Sequence, residues 1–331
     1  MGIKSLTKFL QKYSPSCLTN KKLLDYKNKT IAIDTSLIIY KYIAAMRKTG
    51  HDLTSPDGKM TSHLNGILNL ITKLLKEKIT PVFIFDGKPP DIKKDTLQKR
   101  YDVKKQAEEN LTKDDLTDEQ KITLFMQSTR ITSEIINDTK EMLKTLGIPY
   151  VEAPEEADSQ CVCLLEKNLI YAVATEDMDL LTFKCERLLK NFFSNKEDGI
   201  IEINYSKMLE ELKIDDNQFL DLCILFGCDY LPTLSGLGPV KSYDYIKKYK
   251  SIEKIIELST IQKPENYKYK DVQNYFKTAS SKCVIPLEED LKIKKSDDDK
   301  KVIYELLVKN YGFNVFKYNN FILAKNNFFM N

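Results

Sequence analysis

Four short runs rich in β-branched and aromatic residues each lead towards an acid: TIAI before Asp34, PVFIF before Asp86, IPYVEA before Glu156 and LIYAVA before Asp177. Apolar runs of this length, bounded by polar residues, predict buried strands. Between them lie segments with helical spacing. Leu64 to Lys76 is amphipathic, and Ile131 to Leu146 repeats apolar residues at helical intervals until Gly147 and Pro149 stop it. Strands that alternate with helices predict an α/β fold, a mostly parallel central sheet with helices on both faces. In such sheets ligands bind beyond the carboxyl ends of the strands.

That rule places Asp34, Asp86, Glu156 with Asp158, and Asp177 with Asp179 at one edge of the expected sheet. A seventh acid, Asp229, follows the helical run Asp216 to Phe226. A single Asp after a strand is most simply a helix cap or a turn residue. Repetition at four strand ends asks for more, because crowded carboxylates raise one another's pKa unless cations neutralise them. Hard divalent ions take oxygen ligands, and two of them about 4 Å apart are the usual means of cleaving a phosphodiester. Asp177-Met-Asp179 also resembles the D-x-D of haloacid-dehalogenase-type phosphatases, but Leu181 stands where that family carries Thr or Val.

A formal charge of +3 looks unpromising for a nucleic-acid binder, yet seven acids set aside for cations leave a distinctly basic remainder. Hydrophobic residues make up 42% of the 331, enough for a substantial core, and no apolar run approaches the roughly 20 residues of a membrane helix. The opening MGIKSLTKFL lacks the apolar centre of a signal peptide, and Leu6 stands where a myristoylation signal needs Ser or Thr. An intracellular protein without a membrane partner is expected. Seven cysteines with no C-x-x-C pair, and only His51 and His63, predict reduced thiols and no zinc site.

Between Lys93 and Arg130 the chain is strongly charged and predicts a helical hairpin, with Thr117 and Gln120 as a capping box. Lys93, Lys94, Lys99, Arg100 and Lys104 fall partly on one face, which suits them to hold a phosphate. Further on, Gly236 and Gly238 flank a tight turn whose backbone can approach a phosphate or a monovalent cation. Pro239 then opens a helix carrying Lys241, Lys247 and Lys248. Such a hairpin grips duplex backbone without reading bases.

Taken together, the stretches MGIKSLTKFL, IAIDTSLIIYKY, TSHLNGIL, PVFIFDGKPPDIKKDTLQKR, EAPEEADSQC, ATEDMDLLTF, GCDYLPTLSGLGPVKSYDYI and KSIEKII resemble the structure-specific 5′ nuclease family (Rad2/XPG type), most closely its flap endonuclease branch. They occur in family order over roughly residues 1 to 258, with a fainter echo, PENYKYKDVQNYF, towards 276. The resemblance implies a PIN-like 5′ nuclease fold with a helical arch and a helix–two-turn–helix motif. It also implies that Asp86, Glu156, Asp158, Asp177, Asp179 and Asp229 ligate two Mg2+ ions directly or through water, Mn2+ being a substitute, with Asp34 in the outer shell. Asp34, Asp86 and Asp177 then count among the catalytic residues. Lys93 and Arg100 match the residues that stabilise charge on the phosphate. Tyr40 matches an aromatic that stacks on a base near the cut, and Gly2 a small N-terminal residue close to the metals. Lys104 and Lys241 join these as DNA contacts, and Gly236 and Gly238 match the turn that holds K+ against the duplex arm.

The expected organisation is one nuclease domain over 1–315, comprising an N-terminal region over 1–104, an arch about 90–130, and an internal region over 131–258 holding the helix–two-turn–helix at about 221–258. Residues 316–331 are expected as a tail. Asp158 departs from the flap endonuclease pattern, which has Glu, and agrees with the exonuclease branch. The short spacing from Asp86 to Glu156 excludes the excision-repair members with their long insertion. In the tail, Phe328 and Phe329 resemble the end of a sliding-clamp peptide, but Lys325 replaces an aliphatic residue, so no standard clamp motif is expected. The expected function is removal of 5′ flaps from branched DNA in replication and repair, by a monomer acting in the nucleus of a eukaryote or wherever viral or cellular DNA is copied. A 5′-3′ double-strand exonuclease and an inactive DNA-binding scaffold are the alternatives.

Overall fold

Each of the four predicted strands forms in the computed structural model, which describes residues 3–47, 53–113, 116–194, 199–261, 263–295 and 299–330. By their contacts the residues divide into two units, each assembled from separated stretches: Met1–Asp25, Asp86–Thr96 and Ala153–Ile285 in the first, and Tyr26–Phe85, Leu97–Glu152 and Pro286–Asn331 in the second. Elements are numbered in chain order.

The second unit contains β2 (Thr30–Asp34), α2 (Thr35–Arg47), α3 (Ser62–Lys76), β3 (Thr80–Phe85), α5 (Asp118–Ser128), α6 (Ser133–Leu146), β4 (Tyr150–Glu152), α13 (Asp299–Tyr304) and α14 (Val315–Phe329). It also takes most of α4 (Lys94–Leu111). Its strands are parallel in the order β2-β3-β4, with Asp34 opposite Ile84 and Phe83 opposite Tyr150. Ile31, Ala32 and Ile33 of β2 and Val82 to Phe85 of β3 are buried, as parallel strands covered on both faces require. Helix α3 is the predicted amphipathic one. Helix α6 ends where Gly147 takes a left-handed conformation (φ 67°), the usual glycine stop.

The first unit contains α1 (Leu6–Tyr13), β1 (Leu18–Lys21), α7 (Ala157–Glu166), β5 (Ala172–Ala174), β6 (Arg187–Lys190), β7 (Ile200–Asn204), α8 (Tyr205–Leu212), α9 (Asp216–Phe226), α10 (Pro239–Tyr249), α11 (Ile252–Leu258) and α12 (Tyr269–Thr278). Its strand order is β1-β7-β6-β5; β5 and β6 are parallel, while β7 is antiparallel to both of its neighbours. Among the described residues, three of the five strand pairings within the units are therefore parallel.

Two strand ends differ from expectation. IPYVEA yields only Tyr150–Glu152, because the chain then leaves the ladder: Gly87 N–H donates to Glu155 O (2.6 Å) and Lys88 N–H to Pro154 O (3.1 Å). LIYAVA yields only Ala172–Ala174, since Leu169 N–H closes the end of α7 on Leu164 O (3.0 Å). Glu156 and Asp177 thus follow their strands after short loops rather than directly.

Residues expected as a tail contribute α14, which packs on α3 within the second unit. Phe321 is wholly buried, and the buried Lys325 ammonium donates to Leu146 O (2.8 Å) in the last turn of α6. A cation at a helix C-terminus meets an unsatisfied carbonyl and the negative end of the helix dipole, while its alkyl stem covers apolar surface. The position that a clamp peptide would fill with an aliphatic residue is occupied here by a helix-capping lysine.

Candidate active site

In the first unit the chain leaving β3 is held tightly against the loop that precedes α7. A Cβ on Gly87 would lie 2.0 Å from Ala153 O, so no other residue fits without moving backbone. This approach brings Asp86 to the start of α7, where its Oδ1 accepts the Ala157 N–H at 2.9 Å. Glu156 sits at the N-cap position of α7, but its side chain does not cap the helix; it turns away. Asp158 lies in the first turn of the same helix.

What receives Glu156 is a set of donors from three other segments. Lys93 Nζ pairs with Oε1, while the hydroxyls of Tyr230 and Tyr275 both donate to Oε2, Tyr275 at 2.6 Å. Lys93 also lies 3.9 Å from Asp229 Oδ2 and 5.6 Å from the Tyr230 ring centroid. Burial works against the charged form of Lys93, but Glu156, Asp158 and Asp229 outweigh it and hold the ammonium above its ordinary pKa.

Asp177 and Asp179 enter from the turn after β5. Asp177 caps a 3-10 helix, Met178–Phe183, by accepting Asp179 N–H at 3.0 Å. Asp229 stands in a tight loop closed by Cys228 N–H to Leu231 O (3.0 Å), and Thr96 hydroxyl donates to its backbone carbonyl. Burial, joined by the negative charge of Asp229, pushes Asp177 up. Burial, then Asp177 and Asp229, push Asp179 well above the carboxylate range. Asp179 is almost fully buried and its Oδ1 accepts no hydrogen bond.

These residues fit hard divalent cations in donor type and in charge: all are oxygen ligands, Asp177 and Asp179 are held up by burial and by neighbouring acids, and one buried oxygen has no donor. Among the described residues, no group of three His, Cys, Asp or Glu side chains is arranged to hold an ion as it stands. Lys93, paired with Glu156 and near Asp229, places a positive charge among these acids.

The glycine turn also lies in the first unit. Gly236 has φ 78° and sits third in a turn closed by Leu237 N–H to Leu234 O (3.1 Å), a position that favours glycine. Leu234 and Leu237 anchor the turn in the core, whereas Gly236 and Gly238 are exposed with open space where a Cβ would be. Pro239 begins α10, which displays exposed Lys241, Lys247 and Lys248.

The sequence matches the family models of the XPG N-terminal domain over residues 1–107 and the XPG I-region over 147–229. It is 38% identical over 322 residues to flap endonuclease 1-A of Oryza sativa subsp. japonica, covering 95% of this chain and 83% of that protein. The chain belongs to the flap endonuclease family. Flap endonuclease 1 of Entamoeba histolytica is 41% identical over 83% of this chain and 75% of its own length. The solved flap endonuclease-1 of Methanococcus jannaschii superposes with a TM-score of 0.73 at 25% identity, covering 98% of this chain and 99% of that one.

The remaining residues that the flap endonuclease resemblance singles out belong to the second unit, apart from Gly2, which lies outside the described residues. Asp34 ends β2 and accepts Leu37 N–H at 3.2 Å. Half-buried Tyr40 donates its hydroxyl to Met126 O at 3.0 Å, tying α2 to α5. Arg100 and Lys104 are half-buried on α4; burial, then Arg130 and Arg100, lower the pKa of Lys104. The charged segment forms the predicted two helices, α4 and α5, and the capping box is present: Gln120 N–H to Thr117 Oγ1 at 3.3 Å, and Thr117 N–H to Gln120 Oε1 at 2.9 Å. All seven cysteines are free thiols. Sequence reasoning missed Tyr230 and Tyr275. The first is hidden beside the more conspicuous Asp229, and the second lies in the faint stretch before 276, where nothing marks a tyrosine as facing a carboxylate.

Proposed function

We propose that this chain is a structure-specific 5′ nuclease that removes 5′ flaps from branched DNA in replication and repair, cutting near the junction of single strand and duplex. The observation that carries the reading is a half-buried lysine, Lys93, set among mutually repelling carboxylates in a member of the flap endonuclease family. Two Mg2+ ions, or Mn2+ in their place, would neutralise the scissile phosphate and acidify an attacking water. Asp86, Glu156, Asp158, Asp177, Asp179 and Asp229 would hold them, with Asp34 acting from further out.

Lys93 has the reach to give up a carboxylate and meet the phosphate, and Arg100 shares that role, stabilising charge that grows in the transition state. Tyr40 stacks on a base beside the cut, with Gly2 and Lys104 as further contacts. The open turn at Gly236 and Gly238 holds K+ against the duplex backbone, and Lys241 adds a phosphate contact. Helices α4 and α5 act as the arch that admits a single strand. The protein works as a monomer at sites of viral or cellular DNA replication, which in a eukaryotic cell is the nucleus. Lys325, committed to α6, argues against the stretch around Phe328 and Phe329 serving as a standard clamp peptide. No helix among the described residues is long and apolar enough to cross a membrane.

Asp158 favours one further reading, a 5′-3′ exonuclease of the same family. Labelled DNAs carrying flaps, nicks, gaps, bubbles and four-way junctions, digested with and without Mg2+, test both. Mg2+-dependent release of intact 5′ flaps is expected. No cleavage of any member of the panel would reduce the protein to a scaffold.

A further inference from the structure

The geometry points to Tyr275 as a positioning residue that fixes Glu156 so that one of its oxygens is presented to a divalent cation. This inference rests on the nuclease reading above. Glu156 divides its two oxygens between different partners: Oε2 takes both tyrosine hydroxyls, and Oε1 takes Lys93. A carboxylate gripped on one oxygen by two fixed donors has little freedom to rotate, so its other oxygen keeps one direction. The ammonium that occupies that direction is a monovalent charge on a flexible stem, the kind of partner a divalent ion displaces.

Tyr275 is itself rigidly held. It is buried on α12, with its ring 5.0 Å from that of Tyr230, 5.7 Å from Phe276 and 6.0 Å from Phe183. Phe183 closes the 3-10 helix that carries Asp179. The aromatic cluster therefore stands on the acid-bearing turn and on α12 together, and the hydroxyl at 2.6 Å is its polar contact with Glu156. The ring packs and the hydroxyl orients, and these two roles separate by mutation. Tyr275→Phe keeps the ring and removes the donor, whereas Tyr275→Leu removes both.

The test measures Mn2+ binding to the DNA-free protein by electron paramagnetic resonance, together with thermal midpoints in chelator and single-turnover flap cleavage against Mg2+ concentration. Tyr275→Phe should weaken Mn2+ binding by about 10-fold, the usual scale for losing a group that orients a ligand. Its Mg2+ requirement should rise in parallel, and its rate at saturating Mg2+ should return to within about threefold of wild type, since no reacting atom is touched. Tyr275→Leu should add a loss of thermal stability that Tyr275→Phe lacks. Unchanged Mn2+ affinity and Mg2+ dependence in Tyr275→Phe would overturn the proposal and leave Tyr275 a core residue, as would a wild-type protein that binds no Mn2+. Normal Mn2+ binding without cleavage of any flap would instead sink the nuclease reading, while the Mn2+ titration still decided the role of Tyr275.

Discussion

At the scale of single residues, the site sets charge against burial. Buried Asp179 and half-buried Asp177 lie close enough to Asp229 that neighbouring charge opposes their ionisation, an opposition that a bound cation would relieve. Replacing one acid has two opposed effects. Asp177→Asn or Asp229→Asn should abolish cleavage by misplacing an ion, yet DNA affinity should hold or improve because a charge that repels phosphate is gone. Cleavage within tenfold of wild type would remove the residue from the site. For the cations the same separation of rate from binding is expected, with affinity slightly weakened rather than improved. Lys93→Ala and Arg100→Ala should lower the single-turnover rate far more than they weaken binding, the mark of a contact made mainly in the transition state. Equilibrium binding and single-turnover rates on one flap substrate decide it, and a fall in affinity alone would demote both to general phosphate contacts.

At the scale of elements, legibility followed periodicity. Helix α9 spans Asp216–Phe226, as its apolar pattern predicts, and the Thr117 capping box is written in two residues three apart. Strands β1, β6 and β7 carried no comparable signal. Arg187–Lys190 is two leucines between two cations, and its pairing is set by long-range contacts with Ile201 to Asn204. Six of the seven acids stand out in the sequence because they follow apolar runs. The partners of Glu156 do not, since tyrosine hydroxyls on α12 and beside Asp229 meet it only through tertiary packing. Asp221 is another such case. It looks like one acid inside an apolar helix, yet it is buried, accepts Ile252 N–H at 3.0 Å to start α11, and accepts Gln273 from α12. Burial pushes its pKa up to about 6, above the value it regains on unfolding. A raised carboxyl penalises the native state as pH climbs through the interval between the two values, and the full penalty stands above pH 6. Asp221→Asn should therefore gain on wild type by about 2 kcal/mol between pH 4 and pH 8 in urea titrations, following about 1.4 kcal/mol per pKa unit. A difference that does not change with pH would place the ionisation elsewhere.

At the scale of the whole molecule, the question is which DNA end the chain selects. On the proposed reading, helices α4 and α5 would admit a single strand with a free end and the turn at Gly236–Gly238 would grip duplex backbone, so a substrate with both features should be favoured over one with duplex alone. A double flap, with a free 5′ flap and a one-nucleotide 3′ flap, should therefore be cut faster than a recessed or blunt duplex. Asp158 pulls the other way, since it agrees with the exonuclease branch. Helix α10 carries Lys241, Lys247 and Lys248 against Asp244 alone, while α4 nearly balances its charges, so binding through phosphates should weaken with salt, and to a similar degree on both substrates, because both contribute phosphates. Rate therefore discriminates where affinity does not. Streptavidin bound to the 5′ end before enzyme is added removes the free end without altering the duplex or the junction. Threading predicts that this block suppresses flap cleavage, while streptavidin added after binding leaves it intact. Faster stepwise loss of single nucleotides from the recessed end would place the chain in the exonuclease branch. Equal rates with and without the block would show that the strand does not thread, and would leave α4 and α5 with phosphate binding alone.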